Sequence, residues 1–248
     1  MIVNRSFVFF LKMVLAIFFS ASASISYAEH FRLNAHAVVE LFTSQGCAAC
    51  PLADKVLANI AKDKNIITLA YHVDYWDYNG WRDSFGNKAN SKLQASYSKA
   101  QNTPNVYTPQ MIINGEIDVI GSHGEKVRAA IVNSNFFVPI DIKANDNYLT
   151  ITIDGNEKYN EATVWLVTFI SNKEVKVSRG ENAGKRLQYT NIVTQRRALG
   201  MWQPKTGAMI KLPIDEILVD DNDGLAILVQ YHKNGLPSKI IASAIYTH

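Results

Sequence analysis

The amino-acid sequence predicts an α/β domain that is followed by an all-β domain. Three observations support this fold class. Strand-like and helix-like segments alternate between residues 37 and 133, eight short strand-like segments follow residue 136, and the two cysteines, Cys47 and Cys50, lie where the first strand meets the first helix. With 248 residues, of which 48% are hydrophobic and 19% charged, the sequence has the composition of a folded globular protein.

The first 28 residues have the pattern of a secretory signal peptide. Arg5 and Lys12 are their only charges, an apolar stretch surrounds these two residues, and small residues end the segment at Ser26-Tyr27-Ala28. A membrane anchor is the alternative, but Lys12 interrupts the run well before the ~20 apolar residues that a spanning helix needs. We therefore expect cleavage after Ala28 and export to the periplasm or the extracellular space.

Removal of this segment changes the charge balance. The formal net charge falls from +3 to +1, because the segment carries two cations and no anion. The remaining chain has no basic excess for a nucleic-acid partner and no later apolar run that is long enough to span a membrane. We expect neither nucleic acid nor a membrane as a partner after cleavage.

The α/β domain, residues 29–135, is predicted from its elements in chain order. They are a buried strand (37–43), a turn (44–46), a helix that opens at Cys47 with Pro51 in its first turn, a second buried strand (66–73), a helix (88–101), a hairpin of two short strands around a two-residue Asn114-Gly115 turn, and a helix from the capping box 122–125 to about residue 133.

The all-β domain, residues 136–248, is predicted from the loss of helical periodicity after Phe136. Its strand-like segments are 139–142, 148–153, 163–170, 174–177, 187–193, 208–212, 225–231 and 240–246. Turn sequences such as Asp154-Gly155 and Asn234-Gly235 separate them. Eight short strands predict an antiparallel sandwich or a barrel-like domain.

The Cys47-Ala48-Ala49-Cys50 motif is the main functional signal. An exported chain can keep a disulfide, but a bridge across two residues removes little entropy from the unfolded chain, so the motif favours a redox role over a structural one. A C-x-x-C motif at a strand-to-helix junction is typical of thioredoxin-like proteins. The Thr108-Pro109 step before the hairpin resembles the cis-proline of thioredoxins and glutaredoxins, which faces the cysteine pair, and predicts a cis peptide bond.

The residues around the motif resemble one family more closely. Val39-Glu40-Leu41-Phe42-Thr43-Ser44-Gln45-Gly46-Cys47, His72-Val73-Asp74-Tyr75-Trp76-Asp77, Gly80-Trp81 and Arg179-Gly180-Glu181-Asn182 are similar to segments of a family of secreted bacterial proteins. That family is a domain of unknown function with a thioredoxin-like fold. The resemblance spans nearly all of the chain after residue 28; it implies the fold, and the activity by analogy alone.

The predicted catalytic residues are Cys47, Cys50, Pro109 and Glu40. Cys47, at the exposed positive end of a helix, is the expected attacking thiol, and Cys50, one turn further in, is the expected resolving thiol. Glu40 is a carboxylate in an apolar strand, either a proton acceptor for the inner thiol, which resembles the buried acid of thioredoxins, or a salt-bridged or edge-facing residue.

Substrate binding is predicted at Thr108, Trp76 and Trp81. The two tryptophans belong to an aromatic loop after the second strand, which should approach the same edge of the sheet as the cysteines; the alternative is that its rings pack the loop itself. The segment Arg179-Gly180-Glu181-Asn182 is either a polar loop or a contact with the first domain. His72 is expected to be a hydrogen-bonded strand residue, and the acidic run 220–224 a solvated turn, because the chelating glutamate of an EF-hand is missing.

These patterns favour an exported thiol–disulfide oxidoreductase that acts on protein or small-molecule thiols, with an unidentified redox partner and with no cofactor or resident metal. Two alternatives remain. One is a thioredoxin-like binding protein without turnover. The other is a Cu(I)-binding module, because two thiolates suit Cu(I), whereas a structural zinc site needs four ligands.

Overall fold

The computed structural model describes residues 29–31, 35–103, 105–132, 136, 138–145 and 147–247. The predicted signal peptide and its cleavage site after Ala28 lie outside the described residues. Within the described part of the chain, no helix is long and apolar enough to cross a membrane.

The chain forms twelve strands, three α-helices and one short 3-10 helix in its described residues. In chain order they are β1 (Glu29–Phe31), β2 (Ala37–Thr43), α1 (Cys50–Ile60), β3 (Ile66–His72), α2 (Lys88–Ala100), β4 (Gln110–Ile113), β5 (Ile117–Ile120), α3 (Gly124–Val132), β6 (Ile140–Ala144), β7 (Tyr148–Ile153), β8 (Ala162–Lys176), β9 (Arg186–Trp202), β10 (Ala208–Pro213), a 3-10 turn (Ile214–Glu216), β11 (Gly224–Lys233) and β12 (Leu236–Thr247).

The strands form one large sheet and one small sheet. The large sheet has the order β12-β11-β8-β9-β3-β2-β4-β5, and the small sheet has the order β1-β6-β7-β10. β2 is parallel to β3 and antiparallel to β4, whereas β8, β11 and β12 pair in antiparallel fashion. The molecule is therefore a mixed α/β protein dominated by one extended sheet.

The helices cover both faces of the sheet around β2, and this strand is therefore buried along its whole length. On one face Val39 and Leu41 pack with α1 and α3 residues, including Leu57 and Val127. On the other face Phe42 and its neighbours pack against α2. Successive strand residues point to opposite faces, so the alternation along β2 fixes which side chains meet α1.

The large sheet crosses the predicted boundary at residue 135. β3 pairs with β9 in parallel fashion, with Ala70 opposite Ile192. At the far edge, the amide of Ile240 in β12 donates to the carbonyl of Asn114 over 2.9 Å, so the sheet curves until its last strand meets the β4–β5 turn. The strands after residue 136 therefore extend the first sheet in addition to forming the small one.

Three local expectations need correction. The predicted strands 163–170 and 174–177 are a single strand, β8, because its pairing with β9 runs on through Asn172 and Lys173. The β4–β5 turn has three residues instead of two, since Ile113 pairs with Ile117. The first helix begins at Cys50 and not at Cys47.

Candidate functional site around the cysteine pair

The two cysteines form a disulfide in the turn between β2 and α1. Their Cα atoms are 5.4 Å apart. The amide of Cys47 donates to the carbonyl of Ser44, and the amide of Cys50 donates to the carbonyl of Cys47, each over 3.2 Å. These two bonds wind the chain tightly between the end of the strand and the start of the helix.

Pro51 explains why the helix starts three residues later than expected. In a helix that included Cys47, residue 51 would have to donate its amide to the Cys47 carbonyl, and proline has no N–H group. The proline therefore fits only the first turn of α1, where no partner is needed. Cys47 precedes the helix, and Cys50 is its first residue.

Both cysteines are buried, which corrects the expectation of an exposed attacking thiol. The exposed fraction is 2% for Cys47 and 0% for Cys50. The residues that bury the pair include a segment far away in the sequence, the loop of residues 177–185 between β8 and β9, which we call the cover loop.

Side chains of the cover loop bind backbone atoms of residues 44–50, which we call the cysteine turn. Asn182, whose side chain is fully buried, donates from Nδ2 to the carbonyl oxygens of Gln45 and Cys47, both over 2.9 Å. Glu181 accepts a hydrogen bond from the amide of Ala48 over 3.2 Å. Of the two alternatives left open for residues 179–182, the contact with the first part of the chain is the one observed.

The predicted substrate-binding residues lie next to this turn. The peptide bond between Thr108 and Pro109 is cis, as expected. The indole nitrogen of Trp76 donates to Thr108 Oγ1 over 2.7 Å, and a Cβ atom at Gly46 would lie 3.2 Å from the Trp76 backbone oxygen. Trp76 therefore connects the residue before Cys47 to the residue before Pro109.

The aromatic loop between β3 and α2 is held by specific contacts. Trp81 donates from Nε1 to Gln45 Oε1 over 2.8 Å, and Trp76 stacks on Tyr78 with ring centroids 6.4 Å apart. Gly180 of the cover loop lies against this loop, because a Cβ atom there would be 3.0 Å from the Asn79 oxygen. Packing within the loop is thus observed, and a role of Trp76, Trp81 and Thr108 in substrate binding stays a prediction.

A buried polar cluster begins one helical turn from Cys50. Thr43 Oγ1 donates to Asp54 Oδ1 over 2.9 Å, and Asp54 is one helical turn from Cys50 on the same face of α1. His72 Nδ1 and Asp83 Oδ2 are 2.8 Å apart, with both side chains fully buried. Asp83 also accepts from the amide of Gln45 over 2.8 Å, so the cluster is tied to the cysteine turn.

The two carboxyl groups of this cluster have pKa values that are shifted in opposite directions. Burial raises the pKa of Asp54 to about 7, although the charge of His72 and the hydrogen bond from Thr43 act in the opposite direction. Burial also acts to raise the pKa of Asp83, but the charge and hydrogen bond of His72, with further hydrogen bonds from the backbone, hold it below its usual range. Asp54 is therefore the carboxyl group that exchanges a proton near neutral pH.

Three buried polar atoms of this region have no hydrogen-bonding partner among the described residues. They are Asp54 Oδ2, His72 Nε2 and Tyr189 Oη. The rings of His72 and Tyr189 meet edge to face with centroids 4.6 Å apart. Buried polar atoms are rarely left unpaired, and those that are often mark a functional site.

Glu40 is placed away from the cysteines. Its side chain is on the same face of β2 as Val38 and Phe42, which is the face that meets α2. Cys50 belongs to α1, which packs on the other face. Tyr97 of α2 donates to Glu40 Oε2 over 2.5 Å. Burial raises the pKa of Glu40, against the lowering effect of Arg196 and the Tyr97 hydroxyl.

Asp54, Asp83 and Asn182 were absent from the sequence-based site, and so was the cluster with Tyr189. The available signal was the position of Asp54, four residues after Cys50 and three before Leu57 on the apolar face of α1. Asn182, which lies 135 residues from its partner Cys47, belongs to the segment 179–182, for which a contact with the first domain was one of two alternatives.

No group of three or more His, Cys, Asp or Glu residues suited to a metal ion occurs in the described part of the chain. Two carboxylates of the acidic run 220–224 have protein partners. Asp223 Oδ1 accepts from the amide and the hydroxyl of Ser171, and Asp221 pairs with Lys173 over 2.7 Å.

The fold and the site define a mixed α/β protein that carries a buried C-x-x-C disulfide between a central strand and its following helix. The chain belongs to the family described as "Protein of unknown function (DUF1223)", whose sequence model matches residues 38–230. It is also similar to a crystal structure of protein AGR_C_4864 from Agrobacterium tumefaciens, with a TM-score of 0.77 and 32% sequence identity over 86% of this chain and 94% of that one. None of the curated proteins matches the chain.

Proposed function

We propose that this protein is an exported thiol–disulfide oxidoreductase and that Cys47 and Cys50 form its redox pair. The observation that carries the proposal is the C-x-x-C disulfide held one helical turn from Asp54, a buried carboxyl group with a pKa of about 7. A disulfide that only braced the turn would gain nothing from a titrating acid beside it. A redox disulfide needs a group that takes up and returns the proton of the inner thiol.

The first part of the chain supports a thioredoxin-like interpretation of the fold. The strand order β3-β2-β4-β5, with one parallel and two antiparallel pairings, places the C-x-x-C turn at the end of the central strand β2. The cis bond before Pro109 stands at the start of the neighbouring strand β4. These are the features that the sequence led us to expect of a thioredoxin-like domain.

In the proposed exchange, Cys47 is the sulfur that is attacked and Cys50 is the sulfur that leaves. A substrate thiolate attacks Cys47 Sγ, a new sulfur–sulfur bond forms, the Cys47–Cys50 bond breaks, and its electron pair remains on Cys50 Sγ. Cys50 takes a proton from Asp54. A second substrate thiolate then attacks the substrate sulfur of the mixed disulfide and releases the Cys47 thiolate, so two substrate thiols become a disulfide while the protein becomes a dithiol.

The reverse direction uses the same groups. Cys47 attacks a substrate disulfide, Asp54 takes the proton of Cys50, and the Cys50 thiolate then displaces the substrate from Cys47. Protein thiols and small thiols are both candidate substrates, and the second redox partner is a thiol or disulfide protein of the same compartment.

The decisive experiment uses Cys47→Ser and Cys50→Ser. We expect Cys50→Ser to accumulate a mixed disulfide through Cys47 after mixing with a substrate disulfide, whereas Cys47→Ser loses turnover, because one thiol attacks and the other resolves. Mass spectrometry of the trapped adduct and an assay of turnover with a small-molecule disulfide measure the two effects. Retained turnover in Cys47→Ser contradicts the assignment.

Asp54→Asn extends this experiment, with Glu40→Gln as its matched control. Both carboxyl groups are buried, but only Asp54, a residue of α1, lies on the same side of the sheet as Cys50. We expect Asp54→Asn to slow release of the mixed disulfide on the order of 100-fold near neutral pH, as for loss of other acid–base groups. Glu40→Gln should leave the release rate unchanged, and equal slowing in both variants would refute a role for Asp54.

A binding protein that keeps the disulfide without turnover is the second candidate. The burial of both cysteines favours it, because a fully covered disulfide reacts slowly. The two candidates differ in the Cys50→Ser variant, which forms no covalent adduct with any disulfide if the protein only binds.

A further inference from the structure

The cover loop is the most specific contact that the distant part of the chain makes with the cysteine turn. Its base is closed by hydrogen bonds from the amide of Gly184 to the Val177 carbonyl and from the amide of Val177 to the Lys185 carbonyl, over 2.9 and 3.0 Å. Between these ends, Glu181 and Asn182 make the three hydrogen bonds to the cysteine turn. The base is anchored in the β8–β9 hairpin, so only the tip can move away from the disulfide.

The tip contains two glycines in turn conformations and the exposed side chain of Glu181. Gly180 and Gly184 have left-handed backbone angles, with φ values of 72° and 82°, and Glu181 is exposed to solvent. Nothing lies within 4 Å of a Cβ atom placed at Gly184. Opening the tip breaks its three hydrogen bonds to the cysteine turn, exposes the buried Asn182 side chain and separates Gly180 from the aromatic loop, but it leaves the β8–β9 ladder intact.

We propose that Glu181 and Asn182 make the site selective, because the closed tip admits small thiols after a slight displacement and excludes thiols of folded proteins. The inference rests on the proposed exchange function and narrows its substrate class to low-molecular-weight thiols and disulfides. A small thiol needs only a narrow path to Cys47 Sγ, whereas a folded protein must displace the tip and also clear the aromatic loop against which Gly180 packs.

The chemical step is the one described above, with the small thiol as the named reductant. Its sulfur bonds to Cys47, the Cys47–Cys50 bond breaks, the electron pair remains on Cys50, and Cys50 then takes a proton from Asp54. Asn182 does not touch the reacting sulfur atoms. It acts through the carbonyl of Cys47 and is therefore a positioning residue that also controls access.

The test compares two thiols on the oxidised full-length protein. The probes are 2-mercaptoethanol and a folded protein with one exposed cysteine, and each rate is divided by the rate of the same thiol with an unhindered small disulfide. Iodoacetamide traps Cys50 as it is released, and mass spectrometry follows the product. We expect 2-mercaptoethanol to be favoured by on the order of 100-fold in the natural protein, given the cost of breaking three hydrogen bonds.

Glu181→Ala and Asn182→Ala should reduce this preference by roughly 10-fold, because each removes part of the closed state's hydrogen bonding. Asn191→Gly is the matched control. Asn191 Nδ2 makes the same kind of bond, to the Thr68 carbonyl over 2.9 Å, and glycine tolerates its positive φ of 50°. Glu181 is exposed, so its variant remains informative if Asn182→Ala fails to fold.

An unchanged preference in both cover-loop variants overturns the proposal, and so does a natural protein that reacts equally with both thiols. An equal loss of preference in Asn191→Gly also overturns it, because the effect would then come from a general loss of structural rigidity and not from the cover loop. Failure of the proposed function has another signature: the disulfide opens selectively with 2-mercaptoethanol, but the reduced protein passes its electrons to no disulfide.

Discussion

Two buried carboxyl groups show what a single residue reveals in the sequence. Glu40 is conspicuous, because it interrupts an apolar strand, yet it bonds Tyr97 on the face away from the cysteines. Asp54 is less conspicuous, because it stands in a helix of mixed composition, and only its spacing from Cys50 and Leu57 places it on the apolar face. Its burial follows from the hydrogen bond to Thr43 across the β2–α1 junction, a contact that helical spacing alone does not predict.

The raised pKa of Asp54 gives a pH-dependent stability. Because burial raises its pKa to about 7 from an ordinary value near 4, the folded protein holds a proton that the unfolded chain releases. Stability therefore falls as pH rises through this window, and the loss is complete above the folded pKa. We expect Asp54→Asn to gain ~2–4 kcal/mol of unfolding free energy relative to the natural protein between about pH 4 and about pH 7, and nothing further above it.

Urea unfolding at a series of pH values measures this difference. The groups that face Asp54 are His72, Asp83 and Tyr189, and all three remain in the variant. Asp63→Asn, at an exposed carboxylate just after α1, is the control for the substitution itself. A stability difference between Asp54→Asn and the natural protein that does not change with pH would contradict the raised pKa of Asp54.

At the scale of elements, the sequence predicted most helices and strands because their apolar residues have clear periods. β2, β3, α2 and β7 occur where the pattern places them. The first helix was displaced by a single missing N–H group at Pro51, which acts on Cys47 four residues earlier. The merging of two predicted strands into β8 depends on pairing with β9, and this pairing is not encoded in the local pattern of either segment.

The β4–β5 turn joins two distant elements and provides a test at this scale. A Cβ atom at Gly115 would overlap the carbonyl oxygen of Ser238 at the start of β12, and the φ of Gly115 is 74°. We expect Gly115→Ala to lower the free energy of unfolding by ~2–4 kcal/mol, from backbone strain of about 1 kcal/mol and a clash with a fixed backbone atom. Chemical denaturation measures the change.

Gly235→Ala separates the two contributions. Gly235 has a similar φ of 76°, but nothing lies within 4 Å of its Cβ position, so this variant should lose only about 1 kcal/mol. Equal losses in the two variants would mean that the turn and β12 are not in firm contact.

For the whole molecule, the sequence predicted the class of each half but not how the halves combine. The cover loop binds residues more than 130 positions away, and β3 meets β9 across a similar distance. The pairing of β3 with β9 has no local signature, because an apolar strand looks the same whether its partner is near or far, and the sequence of residues 179–182 left their contact as one of two alternatives. The candidate site was therefore only half visible: its cysteines and proline were predictable, and the residues that bury them were not.

The final prediction concerns the hydrophobic core that the two parts of the chain share. Phe42 and Tyr71, from the first part of the chain, pack in the same cluster as Phe169 and Leu228 from the second, and all four side chains are fully buried. A fragment of residues 29–135 would leave this apolar face in water, at a cost of ~1.5–3 kcal/mol for each large side chain, against a net stability of ~5–15 kcal/mol for a typical domain. We expect the fragment to show no cooperative urea transition, whereas residues 29–248 unfold in one transition that tryptophan fluorescence and far-ultraviolet circular dichroism report at the same midpoint. A cooperative transition in the fragment, with native-like tertiary circular dichroism, would establish the predicted boundary at residue 135 as a true domain boundary and would make the cover loop a contact between two independently folding units.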